Sequence, residues 1–429
     1  MDDVESWGRY PKTKQRVKPL NWLFEPPDFT GEGSFLPFGL GRSYGDVCLN
    51  HENTVICTKN LTRLISFDPT SAVLKAEAGV SLADVLTFAV PRGFFLPVTP
   101  GTKFVTLGGA VANDVHGKNH HRAGTFGCFV KELELLRSDG SSQKLSAESN
   151  PELFCATIAG LGLTGLITTV SLQLQRVDNA WIEMESVKFG NLDRFFELAA
   201  ESDINSEFTV AWLDCVSSGK DFGRGIFMRG NFAKGKELCN PAHRQLVSIP
   251  FDFPEFALNK FSIKAFNALY YGKQRSEKVN KRIHFNPFFY PLDAVGNWNR
   301  IYGKRGLLQF QCVVPDPADI RVLLKEIVAF GEGSFLAVIK KFGDMVSPGM
   351  LSFPAPGYTL CLDFPMRGIK TLDIFKKLEE MVNACGGRLY AAKDACMSGA
   401  SFRKFYPRLE EFSKHIDPRF SSSFWRRVN

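Results

Sequence analysis

Short apolar runs separated by glycine-rich segments dominate the chain from about residue 36 to residue 175. In several of them apolar and polar residues alternate, which is the period of a β-strand with one buried face. Residues 81–93 instead have helical spacing, with Ser81 placed to cap the helix and Pro91 to end it. Strands are predicted over residues 53–58 and 72–79, two more around the Asp139-Gly140 turn in residues 130–145, and a short helix, a glycine-rich turn and a strand over residues 150–177. Residues 1–35 are predicted to be an irregular lead-in.

Beyond about residue 180, longer helical patterns alternate with strands. This arrangement favours an α+β fold, with sheet and helices in separate layers. The length of 429 residues indicates two or three domains. Helices are predicted within residues 191–203 and 317–334, strands within 208–216 and 307–315, and a strand, a turn and a helix over residues 386–429.

Residues 248–273 mix phenylalanine, tyrosine and lysine with few acidic residues. The prolines at the start break regular structure, and the second half has rough helical periodicity. One interpretation is a core helix with its approach loop. The other is a mobile apolar lid, or a face that contacts a membrane or a lipid tail.

Charge and composition exclude several classes of protein. The net charge of +7 is a mild excess spread along the chain, without a nucleic-acid-binding motif, so it suits an anionic substrate or an anionic lipid surface. The first residues hold no apolar signal region, and no run is long enough to cross a membrane. The ten cysteines have no C-x-x-C pair and no zinc spacing. We therefore predict reduced thiols and a cytoplasmic protein.

Two glycine clusters, residues 36–50 and 97–119, are the first sign of a binding site. Either alone is most simply a tight turn between strands. Together, two glycine-rich loops can approach a diphosphate from both sides with backbone N–H donors. Neither matches G-x-G-x-x-G in a βαβ unit, so a nicotinamide site is poorly supported.

The motifs FGLGRSYGD, PGTKFVTLGGAVANDVHGKNHHRAGTFG, GLGLTGLI and GGRLYAAKD resemble the vanillyl-alcohol-oxidase type of FAD-binding flavoprotein, whose cofactor domain is called PCMH-type. Within it, the chain is most similar to the decaprenylphosphoryl-β-D-ribose 2-oxidase family. Further matches, such as LQFQ and FLAVIKKFG, extend the resemblance over nearly the whole chain.

The resemblance implies a two-domain α+β architecture. Residues 1–179 would form the FAD-binding domain, residues 180–387 an antiparallel-sheet substrate domain with a mobile loop near 216–280, and residues 388–429 a return to the first domain. The implied activity is FAD-dependent oxidation of the ribose 2-hydroxyl of a polyprenyl-phosphoryl-β-D-ribose to the 2-keto sugar, the first half of an epimerisation to the arabinose donor for cell-envelope glycans. The alternatives are an FAD-dependent oxidase of a soluble alditol or sugar lactone, and a flavin-binding scaffold for a partner.

The resemblance also implies the residues that hold FAD. They come from both glycine clusters and from two later segments: Phe38, Gly39, Leu40, Gly41, Arg42, Ser43, Tyr44, Gly45, Asp46, Val47, Gly101, Thr106, Leu107, Gly108, Gly109, Asn113, Asp114, Val115, His116, Ile167 and Tyr390. Related sugar oxidases often carry a histidine in the first loop that bonds covalently to the flavin. Arg42 stands at the equivalent place here, so we expect non-covalent FAD.

Lys393, His116 and Tyr44 are the catalytic residues that the resemblance implies. The substrate would contact Lys118, Trp212, Gln309, Gln311, Lys340, Cys361 and Lys393. Gln309 and Gln311 alternate on a predicted strand, where two buried amides need a polar partner such as a polyhydroxylated ligand. Where relatives often have a serine two residues before the tryptophan, this chain has Val210.

The histidines of HGKNHH allow three interpretations: flavin contact, structural hydrogen bonding, or a metal site. We predict no metal, because no carboxylate or thiol completes a ligand set. The expected partners are a polyprenyl-phosphoryl sugar, a short-chain reductase and, at the periphery, a membrane, but no nucleic acid. The expected location is the cytoplasm, or the inner face of the membrane, with the periplasm as a weaker alternative.

Overall fold

The computed structural model describes residues 4–235, 237, 247–331 and 333–429. The first part contains β1 (Arg16–Pro19), β2 (Phe35–Phe38), β3 (Thr54–Cys57), β4 (Leu64–Asp68), β5 (Val73–Glu77), β6 (Phe94–Phe95), β7 (Val130–Leu136), β8 (Ser142–Leu145), β9 (Leu166–Gln173) and β10 (Gln175–Arg176). Its helices are α1 (Leu82–Ala89), α2 (Leu107–Ala112), α3 (His120–Ala123) and α4 (Pro151–Thr157). A parallel sheet has the order β1-β3-β2, and an antiparallel sheet has the order β4-β5-β9-β7-β8.

The second part is built on one large sheet. Its strands are β11 (Trp181–Phe189), β12 (Phe208–Leu213), β13 (Gly225–Phe232), β14 (Val247–Ser248), β15 (Lys278–His284), β16 (Val295–Gly296), β17 (Leu307–Val314), β18 (Ala337–Phe342), β19 (Gly357–Pro365) and β20 (Arg388–Leu389). Eight of them form an antiparallel sheet of order β15-β11-β13-β12-β18-β19-β17-β20, and β14 pairs with β16.

The helices of the second part are α5 (Leu192–Asn205), α6 (Lys260–Lys273), α7 (Phe285–Phe289), α8 (Pro317–Phe330), α9 (Ile369–Ala384), α10 (Gly399–Phe405), α11 (Leu409–Ser413) and α12 (Ser423–Val428). With the sheets, they confirm the predicted α+β class. No helix within the described ranges is long and apolar enough to cross a membrane.

Local sequence signals explain where several elements begin and end. Ser81 and Asp84 form a reciprocal capping box at the start of α1, as the Ser81 prediction required. At α8, Asp316 accepts the amide hydrogen of Ala318, and Gly331 ends the helix at φ +77°. The hairpin around Asp139-Gly140 pairs β7 with β8. Capping and turn chemistry therefore fix these boundaries.

The central strands of the large sheet have two chemically different faces. Phe310, Leu360 and Leu362 point to one face and belong to the core that includes residues of α5, α8 and α9. Because successive side chains alternate, Gln311 and Cys361, which are paired in register, point to the other face. Helices α5, α8 and α9 therefore cover one face, and the polar side chains gather on the opposite face.

One arginine near the end of the chain joins three segments that are distant in sequence. Arg427 in α12 donates hydrogen bonds to the Asp46 carboxylate at 2.8 and 2.9 Å and to Asp394 at 2.8 Å. Asp46 ends the first glycine loop, and Asp394 follows Lys393. This buried network ties the loop to the segment that carries the predicted catalytic lysine.

Two predictions on local structure were wrong. The lead-in is not wholly irregular, because β1 pairs in parallel with β3. The end of the chain contains three helices, α10 to α12, where one was predicted. Their short length hides the helical period, and it is packing against the core through Phe402, Phe412 and Trp425 that stabilises them.

The aromatic segment forms an exposed helix. In α6 only Ile263 and Asn267 are buried, so the interpretation as a core helix does not describe it. Its Phe261 is 83% exposed. Mobility of this segment stays a prediction, and part of the predicted mobile loop near 216–280, residues 236 and 238–246, lies outside the described residues.

Candidate active site

The first glycine loop offers a row of free backbone donors. Within the described chain, the amides of residues 39–43 donate to no protein acceptor. Gly41 has φ +61°, which lets the loop turn without strain. Consecutive free N–H groups form a concave site for an anion. The loop therefore fits the diphosphate of FAD.

The second cluster contributes in a different way. The amides of Leu107, Gly108 and Gly109 already donate to Val80 O, Ala78 O and Thr106 Oγ1. These three amides are thus engaged within the protein, and the first loop supplies the free donors.

The role of glycine in this region is close approach. A Cβ built on Gly39 would lie 2.5 Å from Thr106 Oγ1, and one on Gly45 would lie 1.6 Å from the Asp394 carbonyl oxygen. The backbones of three segments can therefore meet here only without side chains at these positions.

Asn113 and Tyr390 complete the proposed cofactor wall. The Tyr390 hydroxyl donates to Asn113 O at 2.7 Å, and its ring stacks on Phe353 at 4.6 Å. The Asn113 side-chain oxygen is buried and has no partner among the described residues. A ligand with a hydrogen-bond donor, such as a flavin ring or a ribityl chain, would satisfy it. Ile167 is buried in β9.

Two predicted cofactor residues have carboxylates that already accept hydrogen bonds from other protein groups. Asp46 binds Arg427, as described above. Asp114 is buried at φ +40° and accepts hydrogen bonds from Gly127 N at 2.8 Å and from Ser347 and Ser352. Both carboxylates hold loops together, so these residues can reach a cofactor only through their backbone. Gly101 differs, because its Cα faces open space.

The Arg42 side chain is held by contacts within the protein and does not bond covalently to a flavin. Its guanidinium lies over the Trp7 ring at 4.2 Å and donates to Phe104 O at 3.1 Å. A guanidinium is not a nucleophile, so this position cannot link a flavin.

His116 lies at the centre of the site. Its Nε2 is 2.9 Å from Gln311 Nε2, and its Nδ1 is 3.2 Å from Lys340 Nζ. Burial, and then the charge of Lys340, lower the pKa of His116 well below its usual range. The imidazole is therefore neutral near pH 7. Phe342 packs against the ring at 4.9 Å.

Lys340 and Lys393 lie near His116, Lys118 lies near Lys340, and within the described chain none of the three forms an ion pair with a carboxylate. Burial lowers the pKa of Lys340 to about 7 and that of Lys118 to about 8, and it also lowers the pKa of Lys393. Each keeps part of its surface accessible. For Lys118 and Lys340 no carboxylate acts on the pKa, and partly buried ammonium groups of this kind indicate an anionic ligand.

Lys393 occupies the other side of the cluster. Its Nζ lies 4.0 Å from the centre of the Tyr44 ring. Its charge is close enough to Cys361 and Asp363 that both act on its pKa. Burial raises the pKa of the Cys361 thiol to about 12, so this cysteine is neutral. The predicted residues Tyr44, Cys361 and Lys393 therefore come together.

Trp212 connects the site to α6. Its indole N–H donates to Phe335 O at 3.0 Å, and its ring lies 4.7 Å from Tyr270 of that helix. Val210 projects from the same face of β12, two residues before it. The exposed helix α6 thus covers this wall of the site.

Asp363 is the main residue that the sequence interpretation missed. It is fully buried on β19 and accepts a hydrogen bond from Gln309 Nε2. An available signal was the spacing in YTLCLDF, where an acidic residue follows Cys361 by two on an otherwise apolar strand. The nine described cysteines are free, Cys239 lies outside the described residues, and the described chain holds no cluster of three metal-ligating side chains.

Comparisons with known proteins show which proteins this chain is similar to. A family model described as FAD binding domain matches residues 32–146. The decaprenylphosphoryl-beta-D-ribose oxidase of Mycolicibacterium smegmatis is 37% identical over 411 residues, which cover 91% of this chain and 88% of that protein. Shorter matches include the probable L-gulonolactone oxidase 4 of Arabidopsis thaliana, 32% identical over 29% of this chain and 23% of the relative, and cytokinin dehydrogenase 4 of the same plant, 31% identical over 34% and 27%.

Acid treatment should release the cofactor intact. Because Arg42 replaces a linking histidine, we expect the purified protein to be yellow and its FAD to appear in the supernatant after acid precipitation. The measurement is the absorbance and mass of the released flavin. Flavin that stays with the precipitated chain would contradict non-covalent binding.

Proposed function

Since this chain belongs to the decaprenylphosphoryl-β-D-ribose oxidase family of FAD-binding flavoproteins, we propose that it oxidises the ribose 2-hydroxyl of a polyprenyl-phosphoryl-β-D-ribose to the 2-keto sugar. The product is the first half of an epimerisation toward an arabinose donor for cell-envelope glycans. Reduction by a separate short-chain reductase would complete it, and that enzyme is the protein partner we propose.

The observation that carries the proposal is a pair of lysines, Lys118 and Lys340, that form no ion pair with a carboxylate within the described residues. Lys118 and Lys340 lie near each other, and the charge of Lys118 lowers the pKa of Lys340. Two ammonium groups that repel each other beside a neutral histidine are costly without an anion between them. A phosphodiester supplies that anion, whereas an alditol or a sugar lactone does not.

The reacting end of the sugar would lie between His116 and Lys393. When bound, FAD supplies the two-electron oxidant for the carbinol carbon. Gln311 and Lys340 contact the two ring nitrogens of the neutral His116. If the sugar hydroxyl replaces one of these contacts, His116 can accept the hydroxyl proton on that nitrogen. Lys393 supplies positive charge for the oxygen that loses this proton. Tyr44 packs against the Lys393 ammonium and limits its movement.

The exposed apolar side chains of α6 and the segment before it favour a lipid-linked substrate over a soluble one. Phe256 is 78% exposed, Phe261 83% and Leu269 75%. Lys260, Lys264 and Lys273 accompany them and form no ion pair within the described chain. Exposed aromatics beside unpaired lysines are typical of a surface that contacts an anionic bilayer. We propose peripheral membrane contact here, at the cytoplasmic face, with the periplasmic side as the weaker alternative.

Substrate choice tests the proposed function directly. We expect polyprenyl-phosphoryl ribose to bleach the bound flavin under anaerobic conditions. Free ribose, alditols and sugar lactones should bleach it at least about a hundredfold more slowly, because they lack the phosphate and the lipid tail. Equal rates with an alditol or a lactone would contradict the proposal and favour a soluble-sugar oxidase.

The lysine cluster predicts a pH dependence. Burial holds the pKa of Lys340 near 7, below the usual value of 10.5, so its charge is present below about pH 7 and lost above it. We expect kcat/KM to fall as pH rises through this range, since this quantity reports ionisations of the free enzyme.

Replacing Lys340 with methionine should remove that fall and raise KM more than it lowers kcat. The matched control is Lys341→Met, because Lys341 is the next residue of β18 and binds Asp203 instead. If the pH profile of kcat/KM changes as much in Lys341→Met as in Lys340→Met, the fall does not come from Lys340.

Membrane contact predicts an effect of replacing the exposed apolar side chains of this surface. The triple variant Phe256→Ser, Phe261→Ser, Leu269→Ser should reduce co-sedimentation with anionic vesicles at least about tenfold, because it removes the side chains that would be buried in lipid. FAD content should not change. The control removes three similarly exposed apolar residues elsewhere, Ile204, Val346 and Ile369. An equal loss in both variants would argue against a specific membrane surface.

A further inference from the structure

The last helix, α12, is bonded both to the first glycine loop and to the segment that carries Lys393. Arg427 of α12 donates to both oxygens of the Asp46 carboxylate, from Nε at 2.9 Å and from Nη2 at 2.8 Å. The same Nη2 donates to Asp394 Oδ2 at 2.8 Å, and Nη1 donates to the carbonyl oxygen of Met397. All three nitrogens of the guanidinium are therefore engaged, and its planar shape fixes the spacing of the two carboxylates.

Both carboxylates depend on this one cation. Asp46 and Asp394 are buried, so water screens their charges little. Because they bond to the same nitrogen of Arg427, they lie close together. Among the described residues, Arg427 is the cation that forms an ion pair with each of them. Without a guanidinium between them the two carboxylates would repel each other and move apart.

Lys393 stands between two residues that are bonded to neighbouring segments. Before it, Ala392 O accepts from Tyr44 N of the first glycine loop at 3.0 Å. After it, the Asp394 carboxylate accepts from Arg427. The Lys393 ammonium lies 4.0 Å from the centre of the Tyr44 ring, which belongs to the same loop. The place of the ammonium therefore depends on contacts on both sides of Lys393 in the chain, and Arg427 provides the one that follows it.

We propose that Arg427 is a positioning residue that, by bonding Asp46 and Asp394 at once, holds the ammonium of Lys393 at a fixed place relative to the FAD-binding loop. It touches neither the substrate nor the cofactor in this role. The inference rests on the proposed function only in that Lys393 lies beside the flavin. The family model ends at residue 146 and does not cover Arg427.

The test is a double-mutant cycle on the FAD-loaded full chain, and it needs no substrate. Its readout is the midpoint potential of the bound flavin, measured by anaerobic reductive titration at neutral pH. Lys393→Met should lower this potential, because a nearby positive charge favours the reduced, more negative flavin. Arg427→Lys should lower it too, since an ammonium keeps the charge but cannot hold two carboxylates in the fixed geometry of a guanidinium. In the Lys393→Met background, Arg427→Lys should have no further effect, because an effect exerted through Lys393 is lost with it.

Arg426→Lys is the matched control. Arg426 is the neighbouring arginine of α12, and it donates to Asn50 Oδ1 at 2.8 Å and to His51 O at 3.2 Å, both outside the segment that carries Lys393. We expect the wild-type potential from Arg426→Lys. An equal shift in Arg426→Lys and Arg427→Lys would show a general effect of disturbing α12 and would overturn the proposal.

Three further outcomes would overturn it. One is a wild-type potential in Arg427→Lys. Another is a shift from Arg427→Lys that persists in the Lys393→Met background, since the arginine would then not act through Lys393. The third is a wild-type potential in Lys393→Met, since the ammonium would then not lie beside the flavin. If Arg427→Lys does not retain FAD, the cycle uses Asp394→Asn, which weakens only the contact to the lysine segment. Loss of FAD in both variants would also count against the proposal, because it would show a role in binding the cofactor.

A parallel measurement separates this proposal from the proposed function. With polyprenyl-phosphoryl ribose, Arg427→Lys should lower kcat at least about tenfold, because a small displacement of a catalytic group costs much of the rate. KM should change little, since the lysines proposed to bind the phosphate lie on other segments. If the wild-type enzyme oxidises no polyprenyl-phosphoryl ribose, the proposed function fails while the potentials still decide the role of Arg427.

Discussion

The alternation of side chains along the central strands of the large sheet is the constraint on which the site depends. β17 is buried along its whole length, and β18 and β19 are buried or half-buried, so each must supply apolar residues to the helices and polar residues to the site. Phe310 and Leu362 serve the first purpose, whereas Gln311 and Cys361 serve the second. A shift of one residue in register would exchange the two sets and expose the core face to the ligand. The rigidity of the sheet therefore gives the polar residues fixed positions.

The cofactor loop has a complementary constraint. It keeps its amides free only because its other groups are held elsewhere: Ser43 O accepts from Trp7 N, Tyr44 N donates to Ala392 O, and Asp46 binds Arg427. Without such anchors, the free N–H groups of the loop would form hydrogen bonds with water or with other groups of the loop. Preorganisation of this kind leaves the ligand little ordering entropy to overcome.

Much of the fold was predictable because residues close together in sequence determine it. The capping serine of α1, the Asp139-Gly140 hairpin and the alternating strands each depend on neighbours in sequence. The family was predictable from glycine loops whose spacing is specific. The short helices α10 to α12 and strand β1 were not, because tertiary packing and pairing stabilise them.

The site shows the same division. Sequence motifs indicated His116, Lys340 and Gln311, and the structure brings them within hydrogen-bonding distance. The motifs could not indicate that the amides of residues 107–109 already donate hydrogen bonds within the protein. Nor could they indicate that the carboxylates of Asp46 and Asp114 hold loops together by hydrogen bonds. Those facts depend on partners such as Val80, Arg427 and Ser352, which no local pattern connects to the loops. Burial and partners, more than residue type, decide what a polar group can do.

The link between Asp46 and Arg427 also orders events during synthesis. The two residues are 381 positions apart, so the first glycine loop leaves the ribosome long before the arginine that anchors it. At ordinary elongation rates the interval is roughly 20–75 s. Throughout it, a loop with unpaired amides exists without its anchor or the segment that carries Lys393. The loop therefore gains all of its anchors only once α12 has been synthesised.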